Sequence, residues 1–332
     1  MRGRWQIFIG IGISLFLLYL VFGRVDLEGL LEALHRADYF VLVPVVGVIF
    51  GNMAIRAVRW SYLLQPVKRV HFSHLLGTLF IGFMANNLLP ARMGDVARGY
   101  LLGRLEQIPK SASFATLVAE KLLDGLTVLS SLAVLSLAVK NLNAYPAFRR
   151  ALSIGGYMSL GLFVVTIVVL YMIKERSEAF MRLFKPSGWS EGAKRHLYAF
   201  RDGLLWSSRW DCLLPSIFYS YLTWGTYALG IYLTCLAFHV IVPLSAPFLV
   251  MVVICLGTVL PLTPGYIGTY HAAVTYSLLL YRVPMEKAAA LSLVFHALYF
   301  FPTTLVGLIY LWRYQLTLGV LKESAQEVES EE

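Results

Sequence analysis

Long apolar runs, each about the length of a bilayer crossing, alternate along this chain with short polar stretches rich in charge. Residues 5–22, 39–64, 111–139, 151–173, 213–238 and 287–312 are runs of this kind. A helix needs about 20 mostly apolar residues to span hydrocarbon, so each run predicts one crossing. Strands of a membrane barrel would alternate inward and outward over about 10 residues, and these runs do not. Backbone groups in lipid must bond within their own segment, which leaves helices. The expected fold is all-α, a polytopic integral membrane protein with about six full spans.

Two apolar stretches depart from the pattern. The first, 74–89, ends in Asn86-Asn87-Leu88-Leu89-Pro90 and runs into Ala91-Arg92-Met93-Gly94-Asp95-Val96-Ala97-Arg98. The helix-like segment 92–105 is too short and too charged to cross alone, and it predicts a re-entrant hairpin entering from the cytoplasm. The second, 247–281, is interrupted by Pro261-Leu262-Thr263-Pro264-Gly265-Tyr266-Ile267-Gly268. The two align: Pro90-x-x-x-Gly94-Asp95 matches Pro264-x-x-x-Gly268-Thr269, and Pro109 and Pro284 follow at similar distances. With one gap, Glu120 falls on His296 and Thr127 on Thr303. Gly and Pro punctuation also recurs by coincidence. As a true repeat, the second copy is inverted, because an odd number of crossings separates the two. Inverted repeats with discontinuous helices meeting near mid-membrane are a transporter layout, and their half-helix N-termini favour anions.

Charge sets the topology. Arg2 and Arg4 precede the first run and no small-residue cleavage site follows it, so the run reads as a retained span with its N-terminus inside. The loop after it is acidic and reads as outside. Lys68 and Arg69 read as inside. The loop 174–212, with eight Lys/Arg against five Asp/Glu, reads as cytoplasmic. Within it, 190–208 reads as an interfacial helix or a soluble linker, with Leu197, Phe200 and Leu204 on one face. Lys140, Arg149 and Arg150 violate the positive-inside rule in this topology. The expected organisation is one membrane domain over 1–320, with repeat halves at about 70–140 and 245–315, and a polar tail 321–332. Both termini are expected on the cytoplasmic side of the cell membrane.

Composition agrees. Hydrophobic residues make up 58% of 332 and charged residues 14%, against roughly 45–50% and about 25% in a soluble chain. The net charge of +9 belongs with anionic lipid rather than nucleic acid, for no nucleic-acid motif is present. Cys212, Cys235 and Cys255 are scattered and read as reduced packing residues, with no metal site.

Ionised residues inside a membrane are candidate functional groups by default. Arg92, Asp95 and Arg98 share one helical side just past the first break. They form either a lipid-phosphate clamp or a network that locks the hairpin. Glu120 and Asp124, four apart with Lys121 beside them, pair with those arginines or handle a proton. Asn52, Arg56 and Arg59 lie on one face near the inner end of the second span, either snorkelling or touching a headgroup. Asn86 and Asn87 satisfy freed backbone groups or contact substrate. In the second half, Ser292, His296, Tyr299 and Thr303 form a polar stripe, while Thr263, Tyr270 and His271 flank the second break. The histidines are packing residues or a pH-linked pair. No catalytic constellation and no cofactor motif appears, and a Walker-type phosphate loop is absent from the sequence.

Asn86-Asn87-Leu88-Leu89-Pro90-Ala91-Arg92-x-Gly94-Asp95-x-x-Arg98-x-Tyr100-Leu101-Leu102 resembles the first signature of the lysylphosphatidylglycerol synthase transmembrane-domain family. Glu120-Lys121-Leu122-Leu123-Asp124-Gly125 resembles its next element. Pro261-x-x-Pro264-Gly265-x-Ile267-Gly268-Thr269-Tyr270 resembles the late one. The resemblance covers roughly 5–315. It implies a lipid translocase domain, here similar to members without a fused synthase. Tyr266 stands where several relatives carry a second Gly, and His271 stands near an acidic position.

The leading expectation is a lipid flippase, not an enzyme, moving an anionic or polyprenyl-linked lipid. The alternatives are a membrane enzyme on lipid-linked substrates, or a non-catalytic partner of a lipid synthase or glycosyltransferase. The expected partner is a membrane lipid with an anionic headgroup, with a lipid-modifying enzyme and a homo-oligomer as further possibilities.

Overall fold

The computed structural model describes residues 2–89, 93–138, 202–259 and 263–316, with isolated positions between 150 and 199 and residue 319. Regular structure among the described residues is helical throughout. The helices are α1 (Arg2–Phe22), α2 (Leu27–His35), α3 (Tyr39–Leu64), α4 (Phe72–Leu88), α5 (Met93–Glu106) and α6 (Lys110–Ala138). After the 3-10 turn Leu205–Ser208 come α7 (Trp210–Ala237) and α8 (Ser245–Val259), then the 3-10 turn Pro264–Tyr266, α9 (Thr269–Leu279) and α10 (Met285–Arg313).

Among the described residues two helices, α3 and α10, are long and apolar enough to cross a bilayer, and α1 with α2 qualifies as a third if that pair, bent by 84°, is one span. The expected span 151–173 and the tail 321–332 lie outside the described residues. So do most of the positions expected to form an interfacial helix over 190–208. At its end, Leu204 and Trp206 are buried. A Cβ on Gly203 would lie 2.5 Å from the Ala112 carbonyl oxygen. This part of the segment packs on the first turn of α6. The stretch after α1, expected as a loop, contains α2. Asp26 caps it by accepting from the Gly29 amide at 3.0 Å, and Glu32 pairs with Arg36 one turn on.

Both breaks fall where the prolines stand. α4 ends at Leu88 and α5 begins at Met93; α8 ends at Val259 and α9 begins at Thr269. A long helix then follows each pair, α6 and α10, both 29 residues. The chain folds back at each break. At the tip of the second hairpin, a Cβ on Gly257 of α8 would touch Thr269 of α9 at 3.2 Å. At its base, the Tyr281 hydroxyl donates to Ser245 Oγ at 3.3 Å. The first hairpin is tied at its tip by Asn86 to Gly94 and at its base by His74 to Glu106.

The chain gathers into two compact units. Met1–Met53, Phe80–Ala97 and Trp224–Glu332 form one; Ala54–Leu79 and Arg98–Thr223 form the other. In the first, α9 packs against α8, α10 and α1, and α2 packs against α10. Close approach requires glycine at Gly307, where a Cβ would lie 2.4 Å from Met84 Cβ. In the second, Trp60 is fully buried and donates from Nε1 to Thr116 Oγ1 at 3.0 Å.

Candidate functional site

The second unit holds a buried ion network built from four helices. Arg59 comes from α3, Arg98 from α5, Glu120 and Asp124 from α6, and Ser220 from α7. Arg59 is 0% exposed, Arg98 and Glu120 are 2% exposed, and Asp124 is 8% exposed. Arg59 Nη1 meets Asp124 Oδ1 at 2.6 Å and Nη2 lies 3.1 Å from Glu120 Oε1. Arg98 Nη1 takes the other oxygen, Glu120 Oε2, at 3.1 Å. Arg59 Nη1 also donates to Ser220 Oγ at 3.1 Å. The Arg98 guanidinium lies over the Trp60 ring, 5.2 Å from its centre, an arrangement that strengthens when water is excluded.

Local sequence explains the arrangement. Glu120 and Asp124 stand one turn apart on α6, and Arg56 and Arg59 three apart on α3, so each pair shares a face. Arg56 is buried as well, and its charge acts on Asp124. Arg59, read from the sequence as either snorkelling or touching a headgroup, has its guanidinium enclosed and ion-paired. The pairing expected between the α6 carboxylates and Arg98 is present through Glu120. Arg59 is a further partner of both carboxylates. Ser220 went unnoticed, although Ser216, Ser220 and Thr223 make a polar face within an otherwise apolar helix.

At the polar end of this unit, Glu106 receives two partners. Lys68 Nζ donates to its carboxylate at 2.8 Å and to its carbonyl at 2.6 Å. His74 Nδ1 approaches the other carboxylate oxygen at 2.5 Å. Burial pushes the Glu106 carboxyl up, but the hydrogen bonds and charges of Lys68 and His74 outweigh it, leaving its pKa below the ordinary value.

In the first unit the two break points meet. Asn86 Oδ1 accepts from the Gly94 amide at 2.9 Å and Asn86 Nδ2 donates to Asp95 Oδ1 at 3.4 Å, closing the first tip. A Cβ on Gly94 would stand 1.9 Å from the Gly82 carbonyl oxygen. Asn87 Nδ2 donates to Thr304 Oγ1 at 2.9 Å and Thr303 Oγ1 at 3.2 Å. Gly265, with φ of 57°, sits in the left-handed region, and a Cβ there would lie 3.0 Å from the Asn87 carbonyl oxygen. His296 donates from Nε2 to the Gly265 carbonyl at 3.1 Å.

Around that junction the aromatic residues form a packed cluster. Tyr270 stacks on His296 at 4.7 Å, and its hydroxyl bonds that of Tyr227 at 2.9 Å. His271 lies edge-on to His296 at 5.0 Å. Thr263 and Thr269 share a hydrogen bond across the break at 3.1 Å. Tyr299 donates to Asn52 Oδ1 at 3.0 Å, and Asn52 Nδ2 donates to Thr226 at 2.8 Å. Tyr227, central here, carried no motif signal in the sequence.

The expected site residues thus fall into two groups. Arg56, Arg59, Arg98, Glu120 and Asp124 gather in one unit. Asn86, Asn87, Asp95, Thr263, Tyr270, His271 and His296 gather in the other. Arg92 lies outside the described residues.

Comparison with known proteins places these residues in a wider set. The family described as the lysylphosphatidylglycerol synthase TM region matches residues 7–307. A UPF0104 membrane protein of Methanothermobacter thermautotrophicus is 23% identical over 302 residues, covering 85% of this chain and 85% of that one. Another, from Methanocaldococcus jannaschii, is 22% identical over 320 residues, covering 90% and 91%. Glycosyltransferase AglD of Haloferax volcanii is 27% identical over 126 residues, which is 38% of this chain and 20% of that protein.

Proposed function

Because the chain belongs to the lysylphosphatidylglycerol synthase TM-region family, we propose that it is a flippase, moving an anionic or polyprenyl-linked lipid between leaflets without altering it chemically. One observation carries the reading. Three buried guanidinium groups, Arg56, Arg59 and Arg98, stand with two buried carboxylates, Glu120 and Asp124, in the helices of a membrane protein. Ionised groups are costly at membrane depth and mark substrate or ion pathways. Guanidinium groups suit a phosphate, which arginine recognises through its planar fork.

The two hairpins supply the movement. Each enters the bilayer and returns, the copies are inverted, and their tips carry the freed backbone of a discontinuous helix. About six further crossings complete the domain, with both termini on the cytoplasmic side of the cell membrane. The lipid headgroup binds the arginines in one state, and rocking of the inverted halves exposes it alternately to the two leaflets.

The test is reconstitution. Purified protein in liposomes, with fluorescent phosphatidylglycerol or a polyprenyl phosphate on one leaflet, accelerates appearance of the headgroup on the other, and Arg98→Gln slows it. Exchange no faster than in protein-free liposomes for either probe overturns the reading. The similarity to a glycosyltransferase over 126 residues favours a second reading, a membrane partner that holds a lipid-linked acceptor for such an enzyme. Under it, exchange stays at the protein-free rate and sugar transfer by a co-reconstituted glycosyltransferase rises.

A further inference from the structure

The short helix α2 presents three different edges. Leu30 and Ala33 are buried, and a Cβ on Gly29 would lie 3.0 Å from Glu286 Cγ, which seats this edge on the first turn of α10. Leu27 and Leu31, one turn apart, are 67% and 56% exposed. Glu28, Glu32, His35 and Arg36 are exposed as well. At about 100° per residue, the edge of Leu27 and Leu31 lies about 110° round from the buried edge, and that of Glu28 and Glu32 about 100° further.

The two helices long and apolar enough to cross a bilayer fix the level of α2. α3 starts at Tyr39, shortly after α2 ends at His35, and the Tyr39 hydroxyl donates back to the Leu34 carbonyl at 2.9 Å. α10 starts at Met285, and its first turn meets Gly29. Gly29 and Leu34 are about 8 Å apart along a helix, far less than a hydrocarbon core of about 30 Å. The starts of α3 and α10 therefore mark one and the same surface, and α2 runs along it. The chain turns by 84° between α1 and α2 to do so.

The apolar edge leads into a surface that lipid covers. Phe40 and Val43, in the first turns of α3, are exposed, and on a spanning helix such residues face acyl chains. Tyr39 is exposed beside the end of α2, and tyrosine is enriched at the boundary between membrane and water. Leucines on one edge with acids and arginine on the flank opposite are the pattern of a helix lying in the plane of an interface. Each edge of α2 thus suits a different surrounding: the protein, the lipid boundary and water.

We propose that α2 docks on the membrane surface as an in-plane helix, with Leu27 and Leu31 inserted where headgroups meet acyl chains and with Glu28, Glu32 and Arg36 turned to water. The occupant of the apolar edge is a lipid surface rather than a second copy of the chain. Lipid already meets the first turns of α3 beside it, and two leucine side chains offer far less than the about 800 Å² per partner of a stable protein interface. The inference concerns how the chain sits in its membrane and does not rest on the flippase reading.

The experiment places a nitroxide label at Leu27→Cys, Leu31→Cys, Glu28→Cys or Glu32→Cys, one at a time, in the full chain held in nanodiscs of phosphatidylglycerol and phosphatidylcholine. The unsubstituted protein serves as the labelling blank, since Cys212 and Cys235 are buried and Cys255 is half-buried. Power saturation compares collisions with oxygen, which concentrates in hydrocarbon, and with a neutral nickel chelate, which stays in water. The ratio of oxygen to nickel collisions is expected to be several-fold higher at positions 27 and 31 than at 28 and 32.

Nickel collisions equally frequent at all four positions place α2 in water and overturn the proposal. Low collision rates with both reagents at 27 and 31 mean that protein covers the leucines, which also overturns it, and spin–spin broadening there identifies a second copy as the cover. Leu27 and Leu31 report independently, so a variant that fails to fold leaves the other to decide.

Discussion

Arg59 and Asp124, 65 positions apart in sequence, meet at 2.6 Å with the guanidinium wholly enclosed. Neither is an isolated charge, since Glu120 and Ser220 contact the same arginine. Deleting one partner of a buried ion pair costs about 3–5 kcal/mol, because the survivor is left charged and unpaired. Arg59→Ala is therefore expected to lower the unfolding free energy in detergent by about 3–5 kcal/mol. Arg59→Met with Asp124→Leu is expected to lose less than the sum of the single changes. Strict additivity in this double-mutant cycle counts against the network as one cooperative unit.

Gly94 and Gly125 separate steric need from helix propensity. Gly94→Ala drives a methyl group to within 1.9 Å of the Gly82 carbonyl oxygen, whereas Gly125→Ala meets nothing within 4 Å. The first is expected to destabilise strongly and the second to stabilise by about 0.5–1 kcal/mol, the ordinary helix gain of alanine over glycine. Thermal unfolding followed by tryptophan fluorescence distinguishes them, and equal shifts would count against close packing at the first hairpin tip.

Asn87 ties the first tip to α10 through a donor. Asn87→Asp keeps the shape but has no N–H to give to Thr303 and Thr304, and it adds a charge among buried groups. It is expected to be worse than Asn87→Ala, itself costing about 1–3 kcal/mol for the lost bonds. The reverse ranking in melting experiments would mean that the amide is not the donor.

Acid weakens the Glu106 clip. The carboxyl's folded pKa lies below its ordinary value, so folding is favoured by its ionised form. That contribution is fully present above the unfolded pKa of about 4.3 and is lost as pH falls through the lower folded value. Glu106→Gln is expected to remove this part of the acid sensitivity, measured as the change in melting temperature between neutral and acid pH. The same pH dependence in wild type and Glu106→Gln would assign the sensitivity elsewhere.

The helical pattern was legible because long apolar runs and their proline breaks are local features. Both hairpins were readable from Pro90, Gly94, Pro264 and Gly268, and the structure folds the chain back at both. The partner of Asp124 was not, because nothing local to Arg59 distinguishes an arginine that reaches water from one enclosed by four helices. Its neighbour Trp60 is itself fully buried, and that fact exists only after packing. α2 was missed for a different reason: a short helix with charged residues on one side looks like a polar connection until Asp26 is recognised as its cap. Tyr227 carried no signal, since an aromatic residue in an apolar span looks the same whether it packs or bonds.

Glu120 gives one oxygen to each of two arginines, while Asp124, a methylene shorter, serves Arg59. The two acids carry the same charge but differ in side-chain length and in their place along α6. Exchanging the two, so that aspartate comes first and glutamate a turn later, would preserve mass, composition and every formal charge. It would nonetheless leave the bridging position too short to span both guanidinium groups. The order of the two acids along α6 is itself a structural instruction, invisible to any measure that counts residues without regard to their sequence.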